Sequence, residues 1–132
     1  GTDGVASNNS LDMFKEMFLT ACLPKANLYM PDVVTAKQVL KMATVNGAKA
    51  LGINAGEIKV GKLADIIVVD INSPHMHPFG DIASMLVYSA KSSDVCLTMV
   101  NGKVLYENGK YNIGESIADI YANCEKIRSR LQ

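Results

Sequence analysis

Near the N-terminus of this chain the apolar positions fall at Leu11, Phe14, Phe18 and Ala21. Steps of three and four place them on one side of an α-helix. Asn9 or Ser10 can cap that helix by accepting a bond from a free first-turn N–H. Pro24 lies just past its predicted end, and the following KANLYMPDVV reads as a loop broken by Pro31. A second helix opens at Thr35, where Thr35 and Gln38 form a capping-box pattern. Val39, Leu40, Ala43, Ala50 and Leu51 give its stripe, Asn46 and Gly47 interrupt it, and Gly52 supplies a left-handed stop. A glycine at 47 points to close packing there.

The period then changes. EIKVGKLADIIVVDI holds a short strand, a Gly61-Lys62 turn and a continuous β-branched run from Ile66 to Val69, whose length suits a buried strand. NSPHMHPFGD is a loop pinned by Pro74 and Pro78. Asp81 can cap a short helix running through Met85, Leu86 and Ser89. DVCLTMVNGKVLYENGKY reads as a β-hairpin about Asn101-Gly102, the favoured type I′ pair, with a second turn at Asn108-Gly109. A last helix starts near Glu115, with Ile117, Ile120, Tyr121, Cys124, Ile127 and Leu131 as its stripe. Acidic residues stand at its start and basic ones at its end, which suits the helix dipole.

Composition narrows the class without changing these elements. The chain has 132 residues, 48% hydrophobic and 20% charged, which excludes a disordered polypeptide. Thirteen basic and thirteen acidic residues cancel, and the basic ones do not cluster, so no nucleic-acid partner is expected. No apolar run reaches membrane-spanning length. Three dispersed cysteines, Cys22, Cys96 and Cys124, sit among apolar neighbours and read as buried free thiols, in a cytoplasmic protein. The seven methionines read as core packing.

Two places can carry chemistry. Asp3 lies between Thr2 and Gly4, in a loop just before a helix. Parallel α/β architectures place catalytic carboxylates there, where one can bind a divalent metal or take a proton from water. An aspartate before glycine is also an ordinary turn, and spacing alone favours that reading. His75 and His77 form an HxH pair, a metal-ligand spacing on a strand. Here it lies between two prolines with no third ligand nearby, so hydrogen-bonding or solvent roles are favoured. No Walker loop, GxSxG or GxGxxG is present.

Four blocks in order carry a family resemblance. GTDGVASNNSLDMFKEMFLTACLPK resembles the segment that closes the metal-dependent barrel in the amidohydrolase superfamily. It is most similar to the branch of 5-methylthioadenosine/S-adenosylhomocysteine deaminases and related chlorohydrolases. VLKMATVNGAKALGI resembles the next helix of that branch, GEIKVGKLADIIVVDINSPHMHP its return into a small β domain, and LVYSAKSSDVCLTMVNGKVLYENGK its closing strands.

The resemblance implies a (β/α)8 barrel with a β-sandwich built from both chain ends. It implies a zinc or similar divalent ion activating water against an aminopurine or related ring, with release of ammonia. Asp3 matches the aspartate that binds the metal and accepts a proton. The family's first-strand HxH pair, its later metal histidines and its proton-shuttling glutamate have no counterparts, and His75 and His77 match a loop away from the metal.

The expectation is therefore an α/β fragment. Residues 1–56 would be the C-terminal end of the barrel, 57–114 part of the small β-sandwich, and 115–132 a C-terminal helix. Its parent would deaminate methylthioadenosine, S-adenosylhomocysteine or a related deoxyadenosine, with a triazine-like ring as second choice. Alone it should neither hold zinc tightly nor turn over. Missing neighbours would leave sticky faces and favour homo-oligomers. The alternatives are a stand-alone module that dimerises or recruits a partner, and a subunit completed by a separate N-terminal half.

Overall fold

The computed structural model describes residues 1–131. Helix α1 spans Met13–Leu28. Its cap is Asp12, not Asn9 or Ser10: the Asp12 carboxylate accepts the Phe14 N–H at 2.9 Å and the Lys15 N–H at 3.3 Å. Pro24 lies inside the helix and does not end it. Proline forfeits one hydrogen bond, and the packed face of α1 outweighs that loss. The helix stops at Tyr29, which turns left-handed with φ of 54°, so residues 25–28 of the predicted loop are helical.

Helix α2, Ala36–Lys41, starts as the capping box predicts. Thr35 Oγ1 accepts the Gln38 N–H at 3.3 Å, and Gln38 Oε1 accepts the Thr35 N–H at 2.8 Å. It passes into a π-helical turn, Met42–Asn46, and then α3, Gly47–Ala50. Gly52 ends the run at φ of 68°. The close approach expected at Gly47 is not there: a Cβ would sit 3.4 Å from the Met42 carbonyl oxygen, an ordinary contact. The tight glycine is Gly56. Its φ is 84°, and a Cβ would fall 2.8 Å from the Thr44 carbonyl oxygen, so the chain returns flush against the widened turn.

Helix α4, Ile82–Tyr88, is capped by Asp81, whose Oδ2 accepts the Ser84 N–H at 3.0 Å. Helices α1, α2 and α4 pack on one another around Phe14, Met17, Ala21, Val34, Ala36, Val39, Ala83 and Val87. Ala21 is 0% exposed, and Val39 and Val87 are 1% exposed. Val69 and Val95 close one side of this cluster.

Those two valines belong to an antiparallel meander of four strands: β1 (Ile66–Val69), β2 (Val95–Val100), β3 (Lys103–Glu107) and β4 (Lys110–Tyr111), in that order. Both turns form as predicted. Asn101 and Gly102 have φ of 47° and 79°, and Asn108 and Gly109 have φ of 45° and 85°. Two expectations fail. Residues 57–60 form no strand, and Val60 is fully exposed. The run Ile66–Val69 is not buried, because β1 is an edge strand with Ile67 and Val68 about half exposed. The period of a sequence reports which faces are apolar, not whether the chain itself supplies their cover.

Helix α5, Ile117–Ser129, is capped by Ser116 and has no buried residue. None of the three cysteines is buried: Cys22 and Cys96 are half-buried and Cys124 is exposed. The methionines are mixed, with Met17, Met76 and Met85 buried and Met30 and Met42 about half exposed. No helix among the described residues is long and apolar enough to cross a membrane.

Candidate functional site

Asp3 sits in an exposed turn that leads into α1. Its φ is 59°, a left-handed conformation that aspartate tolerates better than most residues. Its Oδ1 accepts the Gly4 N–H at 2.7 Å. The Gly4 carbonyl in turn accepts the Ser7 and Asn8 N–H groups at 2.9 and 3.0 Å. Asn8 is not a helix cap. Its side-chain amide donates to Glu16 Oε1 at 2.6 Å, and its Oδ1 accepts the Ser10 N–H at 3.2 Å, so it ties the turn to the first part of α1. Asp3 is thus presented to solvent by a turn anchored on a well-packed helix. Its bond to the Gly4 N–H is that of an ordinary aspartate–glycine turn, and its remaining carboxylate oxygen faces solvent.

His75 and His77 go elsewhere. His75 stands on a 3₁₀ turn, Pro74–Met76, and its Nε2 lies 2.8 Å from Asp94 Oδ2. His77 stacks edge-on against Phe79 with ring centroids 4.6 Å apart. The hydrogen-bonding role expected of His75 is what the structure displays.

Its partner Asp94 carried no sequence signal: it lies nineteen residues away in the chain and sits in an ordinary Ser-Ser-Asp turn. Asp94 is 6% exposed, the buried charged side chain of the described core. Burial pushes its carboxyl up, while bonds from His75 and from the Lys91 N–H at 2.8 Å pull it down. The bonds win, and Asp94 stays below the usual carboxylate value.

Catalytic zinc takes three protein ligands. Among the described residues no group of three or more His, Cys, Asp or Glu side chains could hold a metal ion. Asp3 offers one carboxylate, so these residues by themselves do not fit a metal centre.

A match to the amidohydrolase family spans residues 1–105. This chain belongs to the amidohydrolase family. It is 57% identical over 110 residues to a 5′-deoxyadenosine deaminase of Methanosarcina barkeri, covering 83% of this chain and 26% of that protein. It is 57% identical over 105 residues to a 5-methylthioadenosine/S-adenosylhomocysteine deaminase of Thermococcus sibiricus, covering 80% of this chain and 25% of that one. The amidohydrolase chain also overlays an adenosine deaminase of Xanthomonas campestris solved with bound zinc. The TM-score is 0.93 at 37% identity, over 98% of this chain and 30% of that structure. An atrazine chlorohydrolase of Arthrobacter aurescens TC1 complexed with zinc overlays with a TM-score of 0.78 at 30% identity, over 91% and 27%. The amidohydrolase chain therefore spans about a quarter of the length of the curated relatives it matches.

Proposed function

We propose that this chain is the C-terminal part of a metal-dependent aminohydrolase that removes the exocyclic amine of an adenosine-type nucleoside. Methylthioadenosine, S-adenosylhomocysteine and 5′-deoxyadenosine are the leading substrates. Residues 1–56 would close a (β/α)8 barrel, 57–114 would form part of a small β-sandwich, and 115–132 a terminal helix. Asp3 would be one of several metal ligands and would accept a proton during water attack. Zinc is the preferred metal.

The observation that carries this reading is the exposed, left-handed Asp3 in the turn that leads into α1, in a chain similar to an adenosine deaminase solved with bound zinc. The single carboxylate supports the corollary that these residues are inactive without the rest of the barrel.

A chimera tests it. This chain replaces the matching quarter of the Methanosarcina barkeri deaminase, and loss of adenosine absorbance reports deamination of 5′-deoxyadenosine. The chimera is expected to turn over and to hold about one zinc per chain, whereas the 132-residue chain alone holds less than about a tenth of an equivalent. Asp3→Asn in the chimera should lower kcat by about 10³-fold or more. A chimera that stays active with Asn at position 3, or a 132-residue chain active alone, would overturn the proposal.

A further inference from the structure

One hydrogen bond ties residues 1–10 to helix α1. Asn8 Nδ2 donates to Glu16 Oε1 at 2.6 Å. Among the described residues no other hydrogen bond joins residues 1–10 to a later part of the chain. The chain bends to make it: Leu11, between the turn and the Asp12 cap, is left-handed with φ of 41°. Asn8 is half-buried, while residues 3–7 before it and Asn9 and Ser10 after it are exposed. The far end of the tie is firm. Glu16 lies in the first turn of α1, between the buried Phe14 and Met17.

The bond calls for an asparagine. A glutamate carboxylate only accepts, and a backbone N–H only donates. Asn8 serves both at once, with Nδ2 toward Glu16 and Oδ1 accepting the Ser10 N–H at 3.2 Å and the Ser10 hydroxyl at 3.0 Å. An aspartate there has the same shape but no donor, and would set two carboxylates against each other. From Asn8 the tie reaches Asp3 through Gly4 alone. The Gly4 carbonyl accepts the Asn8 N–H at 3.0 Å, and the Gly4 N–H donates to Asp3 Oδ1 at 2.7 Å.

We propose that Asn8 is a positioning residue for Asp3: its bond to Glu16 is the strut that holds the turn, and so the Asp3 carboxylate, in one place relative to α1. The role in the reaction rests on the aminohydrolase reading of Asp3, whereas the strut itself does not.

Asn8→Asp, Glu16→Gln and the double variant are made in the Methanosarcina chimera. Asn8→Asp should lower kcat on 5′-deoxyadenosine by about 10- to 100-fold, with KM held within about threefold, as a displaced group does. Glu16→Gln keeps an acceptor for Asn8 and should stay within about threefold of the parent chimera. In the double variant the strut is reversed, the glutamine amide donating to the aspartate, and kcat should return to within about fivefold. Hydrogen exchange gives a second readout that needs no turnover. On the peptide of residues 3–10 it should quicken by about tenfold in Asn8→Asp and slow again in the double variant. Exchange thus decides on the strut even in a chimera that does not deaminate, while Asp3→Asn decides separately on the deaminase reading. Unchanged exchange in Asn8→Asp overturns the proposal, as does unchanged kcat in an active chimera. So does a double variant as impaired as Asn8→Asp, because Glu16 would then not be the partner. A melting temperature that falls in Asn8→Asp and stays low in the double variant would mean lost fold, not lost position, and overturns it too.

Discussion

The helical cluster and the terminal helix contain similar apolar stripes and use them in opposite ways. On α1, Phe14, Met17 and Ala21 are buried against α2 and α4. On α5, the same three-and-four spacing meets no buried contact. Amphipathicity is a property of one element, whereas burial is a property of two. The buried cluster is the core of the described residues, and α5 lies outside it. The meander lies between these extremes, fastened to the cluster where Val69 and Val95 enter the core and half exposed along β1.

Mutation should expose the contrast sharply. Phe14→Ala removes a 7%-exposed ring from the cluster and should cost about 3–5 kcal/mol in denaturant unfolding. Tyr121→Ala on α5 should cost less than about 0.5 kcal/mol in dilute solution, as surface substitutions do. Equal losses at the two sites would show that α5 is covered within the monomer and would erase the comparison.

Gly56→Ala comes next. It puts a methyl 2.8 Å from the Thr44 carbonyl oxygen at φ of 84°, and should cost about 2–3 kcal/mol through steric clash and backbone strain. Unfolding monitored by circular dichroism reads the loss. A neutral outcome would mean that residues 53–63 lift away from the π-helical turn freely.

A further effect concerns the join between the meander and the loop that follows β1. Asp94→Asn weakens the bonds from His75 and Lys91 and should cost about 1–3 kcal/mol at pH 7. The folded Asp94 titrates below its unfolded value of 3.8. Its contribution is therefore fully present above that value and is lost as pH falls through the lower, folded one. The gap between wild type and Asp94→Asn should close as the solution is acidified below about pH 4. A gap that is constant with pH would mean that the carboxylate is not stabilised by its partners.

Local chemistry was the legible part of the sequence. The Thr35–Gln38 box and the Asn101-Gly102 and Asn108-Gly109 turns were readable because each depends on residues within four positions of one another. So was the Asp81 cap. Pro24 misled because the cost of one lost bond was weighed without the face of α1 that packs on α4. Gly47 drew attention because it interrupts a helix, although the demanding position was Gly56, whose need comes from a turn twelve residues earlier. Ile66–Val69 read as buried because apolarity is visible in the chain and the neighbour is not. Of the candidate site, Asp3 was readable from its setting between Thr2 and Gly4. The pairing of His75 with Asp94 was not, since only the fold brings them together.

The π-helical turn at Met42–Asn46 has a bearing on helix phase. An α-helix advances about 100° per residue. In an unbroken helix Ala48 would therefore lie about 120° around from Ala36, and one residue absorbed by a widened turn brings it back to within about 20°. Ala36 and Ala48 are both buried. The turn works as a gearing element: it lets two short helices of one continuous rod present small side chains to the same side. Deleting a single residue there would restore a regular helix with Ala48 still within about 20° of Ala36, so the phase of everything beyond the turn would be kept.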